Sequence, residues 1–226
     1  LVLAALGYIV AQSVPIAALG FAVGMVGALV LLIVPEPVPQ DAFRALLNDS
    51  IRNVEIILEE SQLKERAYFV KMDDGEVRAF IPLPGGIQTP SPYEKGLAET
   101  LNKAPTRFIM NFSGLRGVLL IPPGNEIVKL SKVQRDEDVE ESLRAAIIGF
   151  SDLAGSILAV EEEGKVKVQI SKPKLSSESP YFNECLGSPV SCIASCVVAA
   201  VKGSPVRILD EKFDNALARL TLRVVE

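Results

Sequence analysis

The chain has 226 residues, 49% hydrophobic and 23% charged, with 23 Lys and Arg against 28 Asp and Glu for a net charge of −5, a globular composition with an apolar excess. It contains no His, which excludes Ser-His-Asp and Cys-His catalysis and most mixed-ligand zinc sites. The cations are interspersed with acids and form no run, which argues against nucleic acid as a partner.

The apolar excess sits at the start. No charged residue occurs between Leu1 and Val34. The uncharged run from Pro15 to Val34 is about the length that crosses a hydrocarbon core of ~30 Å. Leu1 to Ala11 is equally apolar, and Gln12-Ser13-Val14-Pro15 makes a short polar break with a Pro suited to a first helical turn. Residues 1–34 are therefore expected to form a transmembrane helical hairpin embedded in lipid. Gly20-x-x-x-Gly24, with Gly27 and Ala28 beyond, supplies a small-residue face for close helix approach. A secretory signal peptide is the competing reading, but neither a positive n-region nor a short apolar core is visible. The chain opens on Leu, so residue 1 is not expected to be the start of translation. Arg44 and Arg52 are the nearest cations, and Cys185, Cys192 and Cys196 form an odd set with no spaced disulfide framework. Both features favour a cell-membrane protein with its soluble domain in the cytoplasm.

Pro35-Glu-Pro-Val-Pro39 opens a linker, 35–40, that cannot continue a helix. From Asp41 to Glu60, Phe43, Leu46, Leu47, Ile51, Val54, Ile57 and Leu58 recur at spacings of three and four, predicting an amphipathic helix. Arg66–Met72 and Val77–Leu83 flank Asp73-Asp74-Gly75, a hairpin signal. A short helix near Tyr93 to Lys103 leads to a second hairpin, Arg107–Phe112 with Gly117–Ile121.

The same order returns downstream. An amphipathic helix is predicted over Asp138 to Ala154, on Val139, Leu143, Ala146, Ile147, Phe150 and Leu153; Ser156–Val160 and Lys165–Ile170 follow as a hairpin. Ser188-Pro189 opens a helix that reaches Lys202, Gly203 closes it, and Val206–Leu209 pairs with Ala218–Val225. Tyr68 to Arg78 parallels Ile157 to Lys167 around Gly75 and Gly164, and Ser91-Pro-Tyr93 parallels Ser179-Pro-Tyr181, at nearly equal offsets. The expected fold is thus α+β: the N-terminal hairpin, then a soluble domain of two α-ββ-α-ββ units with antiparallel hairpins, 41–125 and 126–226. The units are expected to pair about a pseudo-two-fold axis, each covering the other's sheet, with a binding groove between them and the larger core in the second.

The helix pair, the Pro-rich exit and the run from Pro39 to Glu55 resemble an uncharacterised family of archaeal membrane-anchored proteins along the whole chain. That resemblance implies a source and an architecture but no activity. The order of helix, hairpin, helix after Ser-Pro and last hairpin in the second unit is similar to the vinyl-reductase-type domain, a small-ligand module related to TRAPP trafficking subunits. That family often places Cys in the last hairpin. Here the corresponding positions are Phe213 and Thr221, so the resemblance does not carry a thiol metal site.

No catalytic, cofactor-binding or metal-binding set emerges from the residues, and no cofactor is expected. Cys192 and Cys196 share a helix face with apolar neighbours, as buried thiols do. Glu161-Glu162-Glu163 marks a solvated hairpin tip, and Asp136-Glu137-Asp138 complements a helix N-terminus. The glycines of Asn111 to Gly117 and of Pro122-Pro-Gly-Asn125 lack a phosphate-loop pattern and are read as turns. The expectation is a non-enzymatic binding or scaffolding module with a protein partner or self-association. Its alternatives are a small-ligand sensor of the vinyl-reductase type, marked by an apolar cavity in the second unit, and a thiol enzyme using Cys192 or Cys196.

Overall fold

The computed structural model describes residues 14–32, 40–83, 96–103, 107–112, 115–175, 179–214 and 216–225. The chain divides into two compact units, Leu1–Phe43 and Arg44–Glu226. The first helix expected over Leu1–Ala11, the Pro-rich segment 35–39 and Ser91-Pro-Tyr93 lie outside the described residues.

Helix α1, Val14–Leu32, carries no charge and no amphipathic bias. Among the described residues, the one helical stretch that passes as a membrane span by length and composition is Pro180–Lys202, and 94% of its apolar window is buried. That stretch is broken at Gly187-Ser188 and is the core of the α/β unit.

Helix α2, Gln40–Glu60, buries Leu47, Ile51 and Leu58, a narrower face than predicted, since Leu46 and Ile57 on its flanks are exposed. Strands β1 (Tyr68–Lys71) and β2 (Val77–Pro82) pair across the Asp73-Asp74-Gly75 turn. Helix α3, Leu97–Lys103, precedes β3 (Ile109–Phe112) and β4 (Leu115–Leu120). Helix α4, Asn125–Leu130, begins where only a turn was expected. Its opening turn is set by Gly124, where a Cβ would lie 2.8 Å from Cys196 Sγ and 2.9 Å from Ile193 Cα.

The helix predicted over Asp138–Ala154 starts as α5, Val139–Leu143, and continues as a π-helix over Arg144–Phe150. Ser151 closes the wide turn, its N–H donating to Ala146 O at 3.2 Å and its Oγ at 2.8 Å. The extra residue per turn keeps Ala146 and Ile147 inside but rotates Phe150 out to 46% exposure, against the expectation that it is core. Strands β5 (Ser156–Glu162) and β6 (Lys165–Ser171) meet at Glu163-Gly164, both at positive φ, the two-residue turn that matches strand twist. Helices α6 (Pro180–Leu186) and α7 (Pro189–Lys202) lead to β7 (Val206–Asp214) and β8 (Leu217–Val224). Strand β7 outruns its predicted end because a bulge at Leu209 lets pairing resume from Asp210.

The eight strands among the described residues form one antiparallel sheet in the order β3-β4-β2-β1-β7-β8-β6-β5. Within each half the strands lie first, second, fourth, third. The halves join head to tail through β1 and β7, with Tyr68 opposite Arg207 and Phe69 opposite Val206. This replaces the expected pseudo-two-fold arrangement and fills the place of the expected groove, because the two edge strands satisfy their backbone groups by pairing with each other.

Helix α7 lies across that junction and packs on β1, β2, β7 and β8, with α4, α5, α6 and the π-helix around it. Every residue from Pro189 to Val201 is buried. On the opposite face α3 covers only the first half, where Leu97 and Leu101 join Tyr68, Val70, Phe80, Met110 and Leu119. Strand β2 is consequently buried throughout, whereas β6 alternates, with Val166, Val168 and Ile170 inside. The first half is thus the one covered on both faces, while the second, which supplies α7, contributes most of the buried apolar residues, as the sequence leads one to expect.

Replacing Gly124 by Ala should force α4 away from α7 and cost about 1–3 kcal/mol, the usual penalty for overpacking. Urea denaturation followed by circular dichroism measures it; an unchanged midpoint would show that the contact gives freely.

Candidate functional site

The densest polar chemistry lies where α7 begins. Ser188 caps the helix, its Oγ accepting from Ser191 N, and its own N–H donates to both carboxylate oxygens of Glu211 on β7 at 3.1 and 3.2 Å. Ser191 Oγ donates to Glu211 Oε1 at 2.5 Å, and Ser195 Oγ donates back to Ser191 O at 2.8 Å. A helix N-terminus is a ready anion site. Here an internal carboxylate occupies it. Arg66, Asn183, Glu184, Ser188, Glu211 and Phe213 line a cleft of about 310 Å³ beside it. A second cleft, about 290 Å³, lies against Ser131, Lys132, Glu137, Asp138, Glu141 and Ser142. Most of the residues lining each cleft are charged or polar, with Phe213 in the first and Val133 and Ala145 in the second.

Helix α6 is sealed in the same manner. Glu55 of α2 accepts from the N–H groups of Tyr181, at 3.1 Å, and Phe182. Arg66 donates to Asn183 O at 2.7 Å, and Ala67 N to Cys185 O at 2.8 Å.

The three thiols are buried and free. Burial pushes Cys185 up to about 12 and Cys196 well above the ordinary thiol range, which leaves them protonated and poor nucleophiles. Cys192 and Cys196 do share a helix, as predicted, but they face the protein interior.

The acidic motifs are likewise engaged locally. Glu161 pairs with Lys202 and Glu162 with Lys167, while Asp138 caps α5 by accepting from Glu141 N at 2.8 Å. Among the described residues, no three His, Cys, Asp or Glu side chains converge on a point that would hold a metal ion. Asn125 Oδ1 accepts from Val77 N at 2.8 Å, so the Pro-Pro-Gly-Asn segment ties α4 to β2.

A further site was invisible in the linear order of charges. On the outer face of β7, β8, β6 and β5, the register sets Arg207 beside Arg223 and Arg223 beside Lys165; the row runs from Tyr68 at one end to Glu162 at the other. Lys167, Arg219 and Lys212 share the face. Tyr68 steadies Arg207, its hydroxyl 3.1 Å from Nη1 and its ring centroid 5.0 Å from the guanidinium carbon. The alternation Lys165-Val-Lys167-Val and Arg219-x-Thr-x-Arg223 was the available signal.

In the folded chain all three thiols should resist alkylation until denaturant is added; labelling under native conditions would mean that α6 opens, if at Cys185, or α7, if at Cys192 or Cys196. Glu211→Ala removes the carboxylate from the α7 terminus and should lower stability by about 1–2 kcal/mol. A thermal or urea melt reads this, and an unaltered melt would show the seal to be incidental.

No family model matches this chain, and no curated protein or solved structure matches it.

Proposed function

We propose that the chain is a non-enzymatic binding or scaffolding module whose N-terminal apolar segment anchors it in the cell membrane, with the α/β unit on the cytoplasmic side. The observation that carries this reading is α1: Leu19, Phe21, Val23, Met25 and Val26 are each more than half exposed on an uncharged helix, a surface at home in lipid. The resemblance to archaeal membrane-anchored proteins supports the same reading. So does the chemistry of the α/β unit, in which carboxylates seal helix ends and the thiols are buried. The strand order common to both halves supports descent from a duplicated helix-hairpin unit.

The full chain should sediment with membranes and resist alkaline carbonate extraction, whereas a chain lacking residues 1–34 should be recovered soluble and folded. Extraction of the full chain by carbonate would sink the anchor. Aggregation of the shortened chain would mean that the apolar segment packs into the α/β unit instead.

A further inference from the structure

We infer that the outer face of β5–β8 is a docking surface for an anionic lipid bilayer. The inference goes beyond the anchor and stands apart from it, since it concerns only the α/β unit. The chain as a whole is acidic, at −5. The exposed sheet face is the reverse: Lys165, Lys167, Arg207, Lys212, Arg219 and Arg223 point from it, against Glu162, Asp210 and Asp214, with Glu162 bridging to Lys167, Asp210 to Lys212 and Glu65 reaching Arg207 from the edge. Charge is therefore sorted onto one side of the unit.

Even with those pairs, cations outnumber acids on this face. Adjacent strands lie about 4.8 Å apart, and like charges directly opposite one another weaken a sheet. Yet Arg207, Arg223 and Lys165 occupy successive strands in a single row. A layer of negative charge across the row turns that repulsion into attraction. Aliphatic side chains stand among the cations, with Leu158, Val160 and Leu209 each about half exposed. Long cationic chains interleaved with aliphatic groups suit a headgroup layer, where ammonium and guanidinium groups meet phosphate and the aliphatics reach the acyl boundary.

The test uses the full chain carrying Gln169→Cys, which places a thiol in the middle of the face while the native thiols stay buried. Labelled with an environment-sensitive fluorophore, the protein is mixed with vesicles of phosphatidylcholine alone, or of phosphatidylcholine with phosphatidylserine, each containing brominated lipid as quencher. Flotation is scored alongside quenching. The expected result is flotation with both vesicle types and strong quenching only with phosphatidylserine. Quenching should be lost at about 1 M salt, where the screening length is about 3 Å, and in the variant K165Q/R219Q/R223Q. A label at Glu141→Cys, on the helical side, should show no such difference. Flotation only with phosphatidylserine vesicles, abolished by salt and by the triple variant, also supports the face while removing the anchor.

Equal quenching on both vesicle types, an unaffected triple variant, or flotation with neither overturns the inference. A label that ignores lipid but responds to polyglutamate would assign the face to an acidic protein, and the bilayer proposal would fail.

Discussion

Everything in the α/β unit hangs on the burial of α7. A helix with every residue from Pro189 to Val201 inside leaves no room for an amphipathic compromise, so its neighbours must be apolar or backbone on all sides. The sheet supplies one wall, drawn from both halves of the chain. Small residues supply the others: Gly124 lets α4 approach to the distance of the helix backbone, and the serines and cysteines of α7 keep its own surface close-packed. Such a helix must also hide its polar end. Glu211, reaching across from β7, does so, and strand β7 is thereby fixed against the same helix that its apolar residues cover.

That central role explains which parts of the fold were legible from the residues. Hairpins with Asp-Gly or Glu-Gly turns, the Ser-Pro start of α7 and the helical period of α2 are local devices, and each element was found where its pattern lay. The arrangement of the halves was not local. Nothing in β1 or β7 alone announces that they pair, because their pairing is decided by a helix that must sit over both. The π-turn was equally hidden: Ala145 to Phe150 reads as an ordinary amphipathic pattern until Ser151 bonds to Ala146 and shifts Phe150 outward. For the candidate site, the burial of Cys192 and Cys196 was readable from their apolar neighbours. The cationic face was not, since its charges come from four strands separated by helices and only the sheet register assembles them.

The fate of the polar groups separates interior from surface. Inside, serines and carboxylates are paired with helix termini, where an unpaired group would be expensive. In the second half of the sheet the charges face water and pair along the surface, Glu162 with Lys167 and Asp210 with Lys212. There an antiparallel layer keeps one face solvated, and the residues chosen for it are set by what the surface meets rather than by what the core requires.

The bonds from Glu55, Arg66 and Ala67 to α6 also bear on how the chain is made. Arg66 and Asn183 are 117 residues apart, and β1 finds its partner β7 later still. As the polypeptide leaves the ribosome, the first four strands appear with an unpaired edge and without the helix that covers them. At about 5–20 residues per second that condition lasts for several seconds. An exposed strand edge invites pairing with other chains, and contacts so distant in sequence form slowly. Biogenesis is therefore the stage at which this protein is most open to aggregation, and shielding of the nascent first half until α7 emerges is a physical requirement of its topology.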